Sequence, residues 1–345
     1  MEKNELLKIL DNVSEEEKTS TFTKESRILI IDGLNLFFRN FAVINLVNES
    51  GTHIGGLSGF LRSLGFLIKN IKPTSVYIVF DGAGGATSRQ HLIPEYKTNR
   101  NVNRITNWEI FDNLEEEDQA KVDQITRLIH YLRCLPLQVL LLDKVEADDI
   151  IAYISDKFCE SPDSQTFIVS ADKDFLQLVK PNLIVYRPME KRYYFPKDIK
   201  DKFNVLPENF IIYKTLLGDA SDKISGVKGL GEKGIHKKFP ELSKIPITMD
   251  DLFEICENKI KVHVVYARII HEWDRLEKNY LIMDLKNPLL SNNEKDLLME
   301  STKQNTKLTL KMDEFQKLYS EDGLNHAIRD VPSWLRETFK VLNSF

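Results

Sequence analysis

Short apolar runs and helical stretches alternate along the first 200 residues. Arg27-Ile28-Leu29-Ile30-Ile31 ends in Asp32-Gly33, and Ser75-Val76-Tyr77-Ile78-Val79-Phe80 ends in Asp81-Gly82. Between them Leu57, Phe60, Leu61, Leu64 and Leu67 recur at helical spacing. A helix over residues 119–133 leads to an apolar run at 137–142 and then Asp143, and a helix starting near Val145 leads to 166–170 and then Asp172. β-branched runs separated by helices predict an α/β fold with a mostly parallel central sheet, since parallel strands need crossover connections. Residues 183–187 and 192–195, joined by Pro188-Met189-Glu190-Lys191, predict a hairpin added at the sheet edge. From about Pro196 the pattern turns helical, with no internal repeat and no low-complexity tract.

This pattern divides the chain into a polar leader (1–25), an α/β core (26–200), a helical region (201–285) and a helical tail (286–345). Within the leader, Leu6, Leu7 and Ile9 suit one helical turn. The segment 83–117 is polar and irregular, first basic and then acidic; its run 115–118 reads as a solvated face. With 345 residues there is room for one large domain or two modest ones. Apolar residues at 42% and charged residues at 29% are ordinary for a soluble globular protein. No apolar run reaches the roughly 20 residues of a membrane span. The first residues carry no long apolar segment and no small-residue cleavage site, so a signal peptide is not expected. Three scattered cysteines, Cys134, Cys159 and Cys256, fit a reducing cytoplasm rather than a disulfide framework. The seven histidines form no HExxH or Cys/His pairing, which argues against zinc. A net charge of -5 disfavours a nucleic-acid partner only if acids and bases are mixed; segregated, they permit one.

The acids are segregated. Asp32, Asp81, the segment 143–149 and Asp172 each follow a predicted strand, and ligands of open parallel sheets bind beyond the carboxyl ends of the strands. Glu146 and Asp149 in Glu146-Ala147-Asp148-Asp149 are three apart and share a helix face. Asp172-Lys173-Asp174 puts two acids on one turn, and Asp219 and Asp222 are again three apart. Any one of these could simply cap a helix or start a turn. Together, carboxylates packed this closely repel one another and raise each other's pKa, unless hard divalent cations sit among them. Two such ions about 4 Å apart suit phosphoryl chemistry.

Two basic features complete the picture. The glycine-rich stretch 226–234, with Gly226, Gly229 and Gly231, reads as a helix-hairpin-helix turn whose N–H groups grip a sugar-phosphate backbone without reading sequence. Lys223, Lys228, Lys233, Lys237 and Lys238 surround it, and a bare inter-helix turn is the competing reading. Tyr96-Lys97-Thr98-Asn99-Arg100, flanked by Arg89 and Arg104, suits a single-stranded end: the ring stacks on a base and the cations meet phosphates. A solvated basic loop explains that segment equally well.

Taken in order, IDGLNLFFR (31–39), FDG (80–82), YKTNR (96–100), EADDIIA (146–152), SADKDFLQL (170–178) and GDASDKISGVKGLGEKG (218–234) resemble the 5′-nuclease superfamily of flap endonucleases and 5′-3′ exonucleases. Residues 276–285 (LEKNYLIMDL) and the final VLNSF look similar to the T-even-type phage ribonuclease H, although the glycines of the hairpin block follow the general family and the leader is longer. The resemblance implies a PIN-like nuclease core, with 83–117 as a helical arch over the site. It implies Mg²⁺, two ions, with Mn²⁺ able to substitute, held by Asp32, Asp81, Glu146, Asp148, Asp149, Asp172, Asp174, Asp219 and Asp222. Asp32, Asp81, Asp149 and Asp172 would sit nearest the first ion, and Asp174, Asp219 and Asp222 would shape the second, partly through water. Lys97 and Arg100 would contact the scissile phosphate, and Tyr96 would stack on a terminal base.

The implied function is removal of RNA primers and 5′ flaps during replication by a 5′-3′ exonuclease and flap endonuclease with ribonuclease H activity, leaving 5′ phosphates. Implied partners are DNA and RNA–DNA hybrid with flaps, nicks or primers, met by a monomer in the cytoplasm, with a replicating phage as a fitting source. Residues 339–345 read as a hydrophobic anchor, with docking on a sliding clamp or single-strand-binding protein as the other use. Two other classes fit less of the pattern. A PIN-type ribonuclease has no need of the arch and hairpin. A non-catalytic branched-DNA-binding factor has no need of so many acids.

Overall fold

The computed structural model describes residues 26–98, 105–303, 308–324, 327–340 and 342. The leader, Arg100, Arg104 and most of the final VLNSF therefore lie outside the described residues. β1 (Ser26–Asp32) leads into α1 (Gly33–Val43) and α2 (Gly55–Ile71), and β2 (Ser75–Val79) follows. Next come α3 (Thr87–Leu92), α4 (Leu114–Leu132), β3 (Gln138–Leu140), α5 (Ala147–Phe158) and β4 (Ser164–Val169). β5 (Leu183–Arg187) and β6 (Arg192–Tyr194) form the predicted hairpin.

The six strands make one sheet in the order β3-β2-β1-β4-β5-β6, with only β6 antiparallel. The chain builds outward from β1 on one side and then returns to build outward on the other. β1 and β4, paired through Ile31 and Val169, thus flank the point where strand order reverses. Their following segments diverge, which opens a crevice at the carboxyl rim.

Both sheet faces are covered, which is why β1 is continuously apolar rather than alternating. Leu29 and Ile31 join one cluster with Leu36, Phe60, Leu64 and Phe167; Ile28 and Ile30 join another with Ile150, Ile154 and Ile168. Each such side chain, taken out of water, contributes about 1.5–3 kcal/mol.

α4 begins at Leu114 rather than 119. Asn113 caps it by accepting from the Glu116 N–H at 2.9 Å, and the acidic run 115–118 lies at the positive end of the helix dipole. That run is not wholly a solvated face: Glu117 is buried and accepts from the Thr106 N–H at 2.7 Å.

Beyond the sheet the chain is helical, as expected: α6 (Pro196–Phe203) and α7 (Phe210–Leu217), then a small ribbon of β7 (Gly218–Asp219) and β8 (Ile224–Ser225), then α8 (Glu232–Lys238). α9 (Met249–Lys259), α10 (Val264–His271) and α11 (Trp273–Met283) complete this region. α12 (Asn292–Lys303), α13 (Met312–Glu321) and α14 (Val331–Phe339) form the tail. The expected division near residue 200 marks a change of element type, but the apolar core crosses it: one cluster runs from Ile28 through Leu216 and Leu276 to Leu298. The last two helices, α13 and α14, close the opposite face, where Leu335 and Phe339 are fully buried and Trp334 lies against Gly65 of α2. For Phe339 the anchor reading therefore holds. Among the described residues no helix is long and apolar enough to cross a membrane.

Candidate functional site

The crevice at the strand-order reversal is built by local caps tied together across segments far apart in the chain. Asp32 ends β1 and caps α1, taking the Asn35 N–H at 3.1 Å on one oxygen and the Ser170 hydroxyl at 2.9 Å on the other. Ser170, just after β4, accepts the Asp172 N–H at 3.0 Å, and Asp172 accepts the Asp174 N–H at 2.8 Å. Asn35 closes the circuit by accepting the Ala171 N–H at 2.8 Å. Asp81, beyond β2, accepts the Ala147 N–H at 2.7 Å and so seats the start of α5 on the same rim. Capping and convergence are thus one arrangement: the caps hold the carboxylates where they meet.

Their meeting is visible in their electrostatics. Loss of water pushes the Asp32 carboxyl up to about 7 against its two hydrogen bonds, and the charges of Asp81 and Asp172 add to the rise. Asp148 is pushed well above its ordinary value by the same loss of water, then by Asp172, Asp32 and Glu146. Asp174 rises to about 7 through burial and Asp172, with Lys214 opposing. Asp32, Asp81, Glu146, Asp148 and Asp172 therefore lie in one another's fields, and Asp174 and Asp219 extend the group.

Cations answer part of this charge. The Arg89 guanidinium reaches both oxygens of Asp149, at 2.6 and 2.9 Å, and also bonds Glu146. The Lys97 ammonium bonds the other Glu146 oxygen. Burial opposes ionisation of Glu146, but Arg89 and Lys97 outweigh it and hold the carboxyl below its ordinary value. Lys214 pairs with Asp174 and, at 2.6 Å, with Asp219. It outweighs burial there and, with Ser221, holds Asp219 at about 2. Among the described residues no three acidic, histidine or cysteine side chains are arranged to hold an ion as they stand. The pairs explain this: ammonium and guanidinium groups occupy the carboxylates of Glu146, Asp149, Asp174 and Asp219. The donor set is nonetheless all oxygen, crowded and short of water, which suits a hard divalent cation.

Several expectations need correction. In this conformation Asp149 gives its oxygens to Arg89 and to the Leu289 N–H at 3.0 Å, as Glu146 gives its own to Arg89 and Lys97. Arg89 does not face phosphate: it is 2% exposed, and its Nε donates to the Ile282 carbonyl at 2.8 Å. Tyr96 is 4% exposed and donates its hydroxyl to Glu146 at 3.3 Å, so its ring is closed to a base in this conformation. Lys223 reaches back to the Thr98 hydroxyl at 2.8 Å rather than outward. Asp222 is buried, and its carbonyl accepts the Lys97 N–H at 3.3 Å.

The glycine-rich turn runs from the short strand β8 into α8, and not from helix to helix as expected. Gly229 has φ +80°, which only glycine adopts without strain, and a Cβ at Gly226 would fall 2.1 Å from the Leu217 carbonyl. Lys228, Gly229, Gly231 and Lys233 are exposed. The N–H groups of Lys228, Gly229 and Gly231 donate to no backbone carbonyl among the described residues. Between this turn and the segment after α3 lies a cleft of about 740 Å³ lined by Glu95, Gly218, Lys223 and Gly226.

Lys214, Ser170 and Asn35 were missed from the sequence. Lys214 had a signal, as the one charged residue in the apolar helix FIIYKTLL, five before Asp219. The serine and asparagine had none.

Comparison with known proteins gives the same direction. The family model for the 5′-3′ exonuclease N-terminal resolvase-like domain matches residues 27–204. A 5′-3′ exonuclease of Aquifex aeolicus is 33% identical over 222 residues, covering 63% of this chain and 71% of that protein. DNA polymerase I of Bacillus subtilis is 28% identical over 244 residues, covering 69% of this chain but only 26% of the polymerase. The flap endonuclease of bacteriophage T5, solved with DNA and metal ions, superposes with a TM-score of 0.61 at 21% identity, covering 87% of this chain and 99% of that one.

Proposed function

This chain belongs to the 5′-3′ exonuclease family, and from that premise we propose that it is a magnesium-dependent 5′-nuclease that removes RNA primers and 5′ flaps from DNA. The observation that carries this reading is the crowding of Asp32, Asp148 and Asp172 at the strand-order reversal, where Asp172 helps to raise both Asp32 and Asp148. Carboxylates gathered there without matching cations call for divalent ions. Asp32, Asp81, Glu146, Asp148 and Asp172 would hold one, and Asp174, Asp219 and Asp222 the other. When bound, Mg²⁺ or Mn²⁺ supplies water acidic enough to attack phosphorus near neutral pH.

The chain's own groups do the remaining work. Lys97, released from Glu146, meets the scissile phosphate together with Arg100 and steadies its developing charge. Lys214 keeps Asp219 ionised and holds Asp174 and Asp219 side by side. Asp149 acts through Arg89, as a positioning residue. The exposed turn at 226–234 holds the duplex by backbone N–H groups and lysines, without reading sequence.

A 5′-labelled flap incubated with the chain tests this reading. Cleavage is expected in Mg²⁺ and none in EDTA, with 5′ phosphate on the downstream product. An uncut flap in Mg²⁺, or cutting that survives EDTA, would refute it. Replacing Lys228 and Lys233 together by Ala is expected to weaken duplex binding and to reduce the slope of log affinity against log salt by about 2. A slope equal to that of the parent chain would remove the turn from the interface.

A further inference from the structure

The block 276–285 has had no part in the chemistry so far, yet the helix that carries it, α11, touches both working parts of the molecule. Near its start Arg275 donates to the carbonyls of Ser225 and Gly226, the latter at 3.2 Å. Asn279, 2% exposed, donates to the same Ser225 carbonyl at 2.9 Å. Both grip the lead-in to the glycine-rich turn. At the far end of α11 the last carbonyls lack partners within the helix, and side chains from the acid-bearing segments fill them. Arg89, which holds Asp149 and Glu146, donates to Ile282 at 2.8 Å. Gln177 donates to Met283 and to the Asp174 carbonyl, both at 2.9 Å, and accepts the Leu285 N–H at 3.1 Å.

From Arg275 to Met283 the helix rises about 12 Å. It is thus a short, stiff spacer with one end on the duplex grip and the other on both acid pairs. We propose that α11 sets the cleavage register, with Asn279 and Gln177 as positioning residues. This rests on the nuclease reading above, and adds to it the device that decides which phosphate is presented. One nucleotide is about 3.4 Å along a duplex axis, so a small slip of the grip relative to the carboxylates moves the cut by one position. An Arg275 or Asn279 truncation frees the grip end, and a Gln177 truncation frees the acid end. Because either break uncouples the same spacer, the double variant should slip no further than the singles.

The test is product length at single-nucleotide resolution on an end-labelled flap in Mg²⁺, using the full chain. Asn279→Ala and Gln177→Ala are expected to keep total cleavage within about threefold of the parent, while products one nucleotide to either side rise at least fivefold. Arg275→Lys, whose side chain is 37% exposed, tests the grip end without opening the core and should show the same spread. Variants that lose rate or melting temperature with unshifted product lengths would reduce these residues to structural ones and overturn the proposal, as would no change at all. Wild-type chain that leaves the flap whole overturns both readings. A single wild-type cut with unshifted variants overturns only this one.

Discussion

Asp172→Asn is expected to slow flap cleavage in Mg²⁺ by roughly a thousandfold, about 4 kcal/mol of transition-state stabilisation, while duplex binding in EDTA stays the same or tightens slightly. The substitution keeps size and shape. Asn can still accept the Asp174 N–H through its amide oxygen, so the turn after β4 should survive. What disappears is one negative charge at the centre of the group, next to Asp32, Asp148 and Asp174. Those three neighbours should ionise more easily, and the pull on a divalent ion should fall. Phosphate should then be repelled less, hence the binding prediction. Single-turnover cleavage and fluorescence anisotropy measure the two halves separately. A variant that cuts within tenfold of the parent would show that the carboxylate crowd is not the reaction centre.

Arg89→Met is expected to be the most damaging change to the fold itself. It strands Asp149 opposite an uncharged side chain and leaves Glu146 to Lys97 alone, both carboxylates being almost fully buried. Breaking one side of a buried ion pair costs about 3–5 kcal/mol, here a fall in melting temperature of roughly 5–15 °C. It also unties α3 from α11 by losing the bond to Ile282. Arg89→Lys should fall between, since an ammonium keeps the charge but cannot span both Asp149 oxygens and the Ile282 carbonyl together. Asp149→Asn should destabilise less than Arg89→Met, because Glu146 remains to answer the guanidinium. Thermal melting of the four proteins ranks them directly. An Arg89→Met chain that melts within about a degree of the parent would mean that this cluster is wet and loosely held.

These two predictions divide along what could be read from residues alone. Glu146 and Asp149 are expected on one helix face; Glu146 is instead the extended residue just before α5, yet one Arg89 nitrogen bonds both. That the group facing them is a guanidinium could not be read, because Arg89 lies 60 positions from Asp149 in the chain. Tyr96 and Lys97 looked like a solvent-facing pair for the same reason: nothing local announces that Glu146, 50 residues on, will take the tyrosine hydroxyl.

Residue patterns along the chain were enough for the sheet, its mostly parallel sense, the edge hairpin and the rim on which Asp32, Asp81, Asp148 and Asp172 gather. Those follow from strand-length apolar runs, crossover helices and the acid that ends each run, all local signals. Which carboxylates are answered by Arg89, Lys97 and Lys214, and which are left crowding one another, follows from packing in three dimensions. It alone turned 276–285 from a helical stretch into a tie between two distant loops. Side-chain partners are chosen by packing between segments far apart in the chain, 193 positions in the case of Arg89 and Ile282. Spacing along the chain carries no record of that choice.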